Sequence, residues 1–164
     1  MRSRAVTWLS TLAMFALAST QAVGADLEAI HLTSTSLVPR SATWRTDELA
    51  RINLADDFHV AAYRDNHVTL GVPAWTWVVA VDGELYVRAY NGTRSSWYQS
   101  AVRERAGQIS VAGMKKLVAF ESVQGAINEK IDLAYRAKYS GSRYLDAMLS
   151  ERASAATVRI RPAE

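Results

Sequence analysis

The sequence predicts an α+β fold, built as a small six-stranded antiparallel split β-barrel with capping helices. Six short runs rich in Val, Trp, Tyr and Ile alternate between apolar and polar residues, with the period of two that is typical of strands. Glycine-marked turns at Asp82-Gly83 and Gly113 join neighbouring runs as hairpins, which argues against a parallel sheet built from β-α-β crossovers. Closing such a sheet would also remove its exposed edges.

Residues 1–25 carry the pattern of a secretory signal peptide. Arg2 and Arg4 form a positive start, residues 5–18 are mostly apolar, and small residues precede a cleavage site after Ala25. The apolar run is shorter than the roughly 20 residues that a membrane-spanning helix needs. The alternative is that this segment stays uncleaved as an N-terminal anchor. We therefore expect an exported protein, periplasmic or secreted, without a stable membrane span once the signal is removed.

The mature chain divides into a lead-in segment and one domain. Residues 26–43 have no clear period and are expected to be extended, whereas residues 44–164 are expected to form the split barrel. Loss of two arginines with the signal lowers the formal net charge from +3 to +1, and no Lys/Arg run indicates nucleic-acid binding. The chain has no cysteine, which excludes disulfides and thiolate chemistry.

Each element follows from a local signal. Helices are expected where apolar residues recur three or four positions apart, and strands are expected where they alternate. The expected helices are 47–56, with Thr46 as its cap, 96–105, 125–139 and 144–152. The expected strands are 58–63, 74–81, 84–90, 108–111, 116–120 and 156–161. Trp75 and Trp77 of the second strand are expected in the core.

The loop after the Asp82-Gly83 hairpin gathers features that favour an anion. It combines a glycine, an arginine, two hydroxyls and a helix start, at Gly92, Arg94, Ser95 and Ser96. Free N–H groups at a helix N-terminus and guanidinium donors both stabilise negative charge. Arg88 lies on the strand that leads into this loop, so we expect Arg88 and Arg94 to converge on one anionic group. Ordinary helix capping by the serines is the alternative.

Aromatic residues flank the same loop. Tyr86, Arg88 and Tyr90 share one face of their strand, where they can form either a solvent-facing ladder or the wall of a ligand groove. Trp97 lies in the first turn of the following helix and can either plug the end of the barrel or wall a planar ligand. The three histidines are scattered along the chain, so no metal site is expected.

Beyond these local signals, the sequence resembles a small uncharacterised bacterial family, a domain of unknown function. The resemblance runs from Trp44 to Arg161 and covers nearly the whole mature chain. The matching motifs are Trp77-Val78-Val79, Val81, Gly83, Leu85-Tyr86-Val87-Arg88, Gly92, Trp97-Tyr98, Gly107, Gly113, Ile131-Asp132, Ala134-Tyr135-Arg136, Lys138-Tyr139 and Ala156-Thr157-Val158-Arg159.

That family is similar, more distantly, to the flavin- and deazaflavin-binding split barrels, which include deazaflavin-dependent nitroreductase-like proteins. The link is the order of strand, Asp-Gly turn, strand, glycine loop and Trp-Tyr helix start. The resemblance implies FMN or a deazaflavin as cofactor, hydride transfer to a small molecule, and a homodimer. The candidate cofactor-binding residues are Asn91, Gly92, Arg94, Ser95, Ser96, Trp97 and Tyr98, with Arg88 and Tyr90 from the strand. No catalytic residue is identified.

Two features depart from the split-barrel pattern. Asp65-Asn66-His67 stands where those proteins carry a Gly-Arg-x-Ser-Gly phosphate loop. The export signal is also unusual, because a cofactor loaded in the cytoplasm normally travels with a folded protein. The alternative function is therefore a non-catalytic periplasmic barrel, which either binds a small ligand or has a structural role.

Overall fold

The computed structural model describes residues 42–163. The helices are α1 (Thr46–Leu54), α2 (Ser96–Glu104), α3 (Ile127–Tyr139), α4 (Leu145–Leu149) and α5 (Glu151–Ser154). The strands are β1 (His59–Ala62), β2 (Ala74–Trp75), β3 (Val78–Val81), β4 (Glu84–Arg88), β5 (Ala106–Val111), β6 (Met114–Ser122) and β7 (Thr157–Pro162). Within 42–163, no helix has the length and apolar content that a membrane crossing requires. The predicted signal peptide and most of the predicted lead-in segment lie outside the described residues.

The strands form one antiparallel sheet with the order β2-β1-β5-β6-β7-β4-β3. Its edge strands, β2 and β3, follow one another in the chain and are joined only by Thr76 and Trp77. Because an extended residue spans at most about 3.6 Å, this link holds the two edges within roughly 11 Å of each other. The amide of Thr76 also donates to the carbonyl of Phe58, beside β1, at 3.0 Å. The sheet therefore curls into a half-barrel.

The α+β class and the antiparallel pairing are confirmed, whereas the count of six strands is wrong. The run 74–81 is divided at Thr76 and Trp77, because its first half pairs with β1 and its second half with β4. The expected helix 144–152 is also divided, because Ser150 leaves the helical conformation with a ψ of 155°. Local periodicity shows neither break. The first depends on which strand each half pairs with, whereas the second lies at Ser150, whose side chain caps α5.

The two predicted hairpin turns are confirmed. Asp82 and Gly83 have φ values of 51° and 82°, which is the left-handed pair that a type I′ turn requires. Ala112 and Gly113 repeat this arrangement between β5 and β6, with φ values of 48° and 74°. Thr46, expected to cap α1, is instead the first residue of that helix.

The curled sheet buries side chains on both of its faces. Inside the curl, apolar residues of the strands pack against α1 and α2, with Ile52, Val60, Leu85, Ala101 and Ile160 among the buried side chains. On the outer face, α3 and α4 cover β3 and β4 through a second cluster, formed by Trp77, Val79, Tyr86, Ile131, Tyr135 and Met148. Both faces of β4 are therefore buried, which decides the environment of Arg88 at its end.

Candidate functional site

A cavity of about 590 Å³ opens where the chain passes from β2 to β3. Its lining comes from the β2–β3 link, the connection between β4 and α2, and the start of α4. The lining residues, which we call the aromatic cavity, are Trp75, Thr76, Trp77, Tyr90, Asn91, Ser95, Ser96, Trp97, Tyr144 and Met148. Five of them are Trp or Tyr and none of these described residues is charged, so the cavity suits a planar ring system.

The structure brings five of the nine predicted cofactor-binding residues into this lining, namely Tyr90, Asn91, Ser95, Ser96 and Trp97. The four that do not line it are Arg88, Gly92, Arg94 and Tyr98. Tyr98 is buried in the inner core, where its hydroxyl lies 3.1 Å from Ser122 Oγ. Arg94 is exposed on a short 3-10 turn that connects β4 to α2.

Arg88 lies in a buried polar network between β4, α3, α4 and β7. Its Nη1 donates to Asp132 Oδ1 at 2.5 Å and to the carbonyl of Met148 at 3.1 Å. Its Nε donates to Thr157 Oγ1 at 3.1 Å, and its Nη2 donates to Asn128 Oδ1 at 2.9 Å. We call these residues the Arg88 network. The Arg88 side chain is fully buried, so it neither faces solvent nor lines the cavity, in contrast to both sequence-based expectations.

Gly92 allows a close approach, but the group that approaches is part of the protein. With a φ of 71°, it has a left-handed backbone conformation, and a Cβ atom there would lie 2.6 Å from Arg152 Cγ and 2.9 Å from the Arg152 carbonyl. The stem of Arg152 therefore packs on Gly92, and its Cζ lies 6.0 Å from the centroid of the Tyr90 ring. The glycine places an arginine of α5 beside the cavity wall.

Two tyrosines of α3 support Trp77 from behind the cavity. Tyr139 stacks on Trp77 with the ring centroids 4.0 Å apart and an interplanar angle of 7°. Tyr135 Oη donates to the Trp77 carbonyl at 3.2 Å. Burial raises the pKa of Tyr139 to about 12 and raises the pKa of Tyr135 further. Both hydroxyls therefore stay protonated at neutral pH and act as structural donors.

The polar groups of the cavity are hydroxyls and amides. Ser95 is the N-cap residue of α2, yet its side chain makes no cap hydrogen bond. Because Ser95 and Ser96 line the cavity, their hydroxyls and the free N–H groups of the first turn of α2 are donors at its edge. Apart from the hydroxyls of Tyr90 and Tyr144, the described lining holds no side chain that could serve as a general acid or base.

Sequence reasoning missed half of the lining, namely Trp75, Thr76, Trp77, Tyr144 and Met148. Trp75, expected in the core, is 57% exposed, and its Nε1 donates to the carbonyl of Asp56 at 2.8 Å. Its exposure follows from the strand break after it. Tyr144 reaches Tyr90 from the other half of the chain, with an edge-to-face centroid distance of 6.3 Å. Neither feature has a local signal in the sequence.

A second cavity, of about 610 Å³, shares Ser96 and Trp97 with the aromatic cavity. Much of its remaining lining comes from the segment between β1 and β2, including Asp65 of the turn that stands in place of a phosphate loop. Asp65 forms an ion pair with Arg103 of α2. The turn is therefore tied to the helix that also carries Trp97.

Comparison with known structures shows a similar fold in the crystal structure of conserved hypothetical protein Rv2991 from Mycobacterium tuberculosis, with a TM-score of 0.51. The similarity covers 76% of this chain and 82% of that chain at 12% sequence identity, so it concerns the fold alone. No curated protein matches the sequence. A family model described as an uncharacterized protein conserved in bacteria matches residues 48–160, which confirms the resemblance seen in the sequence. The chain therefore belongs to this family, DUF2255.

Proposed function

We propose that the chain binds FMN or a deazaflavin in the aromatic cavity, and that it is an oxidoreductase acting by hydride transfer on a small molecule. The observation that carries the proposal is the cavity itself. Its volume of about 590 Å³ lies within the roughly 300–1,000 Å³ that is usual for small-molecule sites. Trp75, Trp97, Tyr90 and Tyr144 offer ring faces and edges, which favour a flat aromatic ligand over a flexible polar one.

The residues present fit the ring of such a cofactor. Aromatic side chains can stack on the ring or meet its edge, and Asn91, Ser95 and Ser96 can donate hydrogen bonds to ring carbonyls and nitrogens. The residues first predicted to hold a phosphate fit less well, because the donors of Arg88 already have protein partners. Support for the ring is therefore stronger than support for the phosphate site expected from the sequence.

The lining also indicates which roles would belong to the cofactor and which to the protein. A bound flavin or deazaflavin would supply the hydride chemistry, and the protein would bind the ring, orient it and shield it from water. A site that uses its cofactor in this way does not require a carboxylate or an imidazole, and the described lining of the cavity has neither. The same observation favours a second candidate function, a ligand-binding barrel without turnover.

The curled sheet supports the proposal that the fold is a split barrel, because its two edge strands are joined by two residues. A homodimer and export from the cytoplasm remain part of the proposal. Export rests on the signal-like pattern of residues 1–25. The intact mass of protein recovered from the cell envelope tests it, and a mass that retains Met1 in soluble material would contradict it.

Titration of the purified protein with FMN, a deazaflavin and riboflavin, followed by flavin fluorescence, tests binding. We expect saturable binding in wild type and at least tenfold weaker binding in Trp97→Leu, a loss of about 1.4 kcal/mol. Leu117→Ala is the matched control, since Leu117 is an exposed apolar residue outside the lining. Absence of binding by all three compounds would contradict the proposal. Binding with no hydride transfer to any acceptor would favour the second candidate.

A further inference from the structure

Two arginines lie beside the tyrosine wall of the aromatic cavity. The Cζ of Arg143 is 4.8 Å from the centroid of the Tyr144 ring, and its Nη2 donates to Tyr144 Oη at 2.6 Å. The Cζ of Arg152 is 6.0 Å from the centroid of the Tyr90 ring. Because the two tyrosines contact each other edge to face and both line the cavity, the two guanidinium groups lie along one wall of it.

Neither arginine is neutralised within the described part of the chain. Both are exposed, and neither forms an ion pair with a carboxylate of residues 42–163. Asp146 of α4 and Glu151 of α5, which are near them in sequence, pair with neither. The cavity therefore combines an uncharged aromatic interior with two available positive charges beside it.

The position of Arg152 is set by the backbone. Its Cγ and its carbonyl occupy the space that any side chain at residue 92 would need, and only glycine leaves that space open. A stem that is packed in this way loses less conformational freedom when its guanidinium binds a ligand. Arg152 is thus positioned for recognition better than a freely moving surface arginine.

We propose that Arg143 and Arg152 form an anion-recognition rim, which selects aromatic ligands that carry a phosphate, sulfonate or carboxylate outside the ring. This inference rests on the proposed function, because it assigns the place of the charged part of the ligand. An anionic group inside the uncharged cavity would be costly to desolvate, whereas at the rim it gains charge-assisted hydrogen bonds. The rim takes the role that the sequence assigned to Arg88 and Arg94.

The test compares FMN with riboflavin, which lacks the phosphate, on the double variant Arg143→Gln/Arg152→Gln. We expect the affinity for FMN to fall by about tenfold, or about 1.4 kcal/mol, and the affinity for riboflavin to stay unchanged. The loss should shrink at high ionic strength, since exposed charges are screened. Arg136→Gln is the matched control, because Arg136 is exposed on α3 and has no ion pair with a described residue. If the double variant fails to fold, the same comparison of FMN with riboflavin on the single variant Arg143→Gln tests the rim.

The outcomes separate this inference from the function on which it rests. If both flavins bind and the double variant binds them as wild type does, the rim is overturned and the flavin proposal stands. If wild type binds neither flavin, the flavin proposal fails, and the aromatic sulfonate 8-anilinonaphthalene-1-sulfonate then decides the rim. Weaker binding of that dye by the double variant, but not by Arg136→Gln, supports the rim. If the double variant and Arg136→Gln bind the dye equally well, or if wild type does not bind the dye, the rim is overturned.

Discussion

The Arg88 network and the aromatic cavity are neighbours with opposite chemistry. Met148 belongs to both, since its carbonyl accepts from Arg88 and the residue lines the cavity. In the network, each guanidinium nitrogen donates to a protein acceptor. The cavity, of about 590 Å³, is lined by five aromatic residues and by Ser95, whose hydroxyl makes no cap hydrogen bond. The network holds α3 and α4 on the sheet, whereas the cavity offers surface to a ligand.

This contrast predicts that substitutions in the network change stability and substitutions in the cavity change binding. Arg88 carries a charge on a side chain that is fully buried. Its partner Asp132 is 33% exposed and can regain water, so the main cost of removing Arg88 is that buried acceptors lose their donor, each costing about 1–3 kcal/mol.

Arg88→Met should lower the free energy of unfolding by about 3–4 kcal/mol, because Thr157, Asn128 and the Met148 carbonyl lose their donor in the interface. Urea denaturation measures the loss. Arg136→Met, on the exposed side of the same helix α3, should change stability by no more than about 0.5 kcal/mol. A loss of under about 1 kcal/mol for Arg88→Met would mean that the network is not what holds α3 to the sheet.

Gly92→Ala, at the border between the Arg88 network and the aromatic cavity, should lower the free energy of unfolding by about 2–3 kcal/mol. The new methyl group would lie 2.6 Å from Arg152 Cγ, and the residue would keep a strained φ of 71°. Gly113→Ala is the control, because Gly113 has a similar φ of 74° with no atom within 4 Å of the added Cβ. Thermal or urea unfolding should rank Gly92→Ala as the more damaging change. Equal losses would show that backbone strain alone matters.

Lys138 should make stability depend on pH where α3 meets β3 and the end of α1. Its Nζ donates to the carbonyls of Ala55 and Val78, each at 3.0 Å, and burial lowers its pKa to about 8 from the ordinary 10.5. The folded state therefore loses this proton before the unfolded state does. The contribution of Lys138 to the free energy of unfolding should rise between pH 8 and pH 10.5, where only the unfolded state keeps the proton.

Because Lys138 is partly exposed, we expect this rise to be about 1 kcal/mol. Urea denaturation of wild type and Lys138→Met at pH 7 and near pH 10 measures it as the difference between the two proteins, which cancels the other titrating groups. A difference that is constant, or that moves in favour of the variant at high pH, would contradict the burial of this amine.

Ser95→Ala should change stability least, by under about 0.5 kcal/mol, because the Ser95 hydroxyl makes no cap hydrogen bond. Ser150→Ala is the matched control, since Ser150 Oγ accepts from the amide of Ala153 at 3.4 Å and caps α5. Losing that cap should cost about 1 kcal/mol. A larger loss for Ser95→Ala than for Ser150→Ala would restore the ordinary capping role expected from the sequence.

Sequence reasoning succeeded where the cause of a structure is local. The Asp82-Gly83 turn follows from two adjacent residues, and alternation correctly separated Leu85 and Val87, in the inner core, from Tyr86, on the outer face. It failed for Arg88 because the partner that buries it, Asp132, lies 44 positions later in the chain. A period of two assigns residues to faces, but it does not reveal that a helix will cover the polar face.

The candidate site shows the same division. Tyr90 and Ser95 could be predicted because they surround one loop with a helix start. Trp75 and Tyr144 could not, since the first reaches the cavity through the curl of the sheet and the second through the packing of α4. The cavity forms only when segments that are distant in the chain pack together. The sequence therefore indicated only some of its aromatic lining residues.

The tryptophan indole signals in a ¹H–¹⁵N NMR titration with FMN test the central claim most directly. Trp75, Trp77 and Trp97 line the aromatic cavity, whereas Trp44 is buried in the inner core with its Nε1 donating to the carbonyl of Ile160 at 2.8 Å. We predict that the indole signals of the three lining residues shift on addition of FMN while that of Trp44 stays in place. Unchanged signals for all four, or a shift of Trp44 alone, would contradict the assignment of the aromatic cavity as the flavin site.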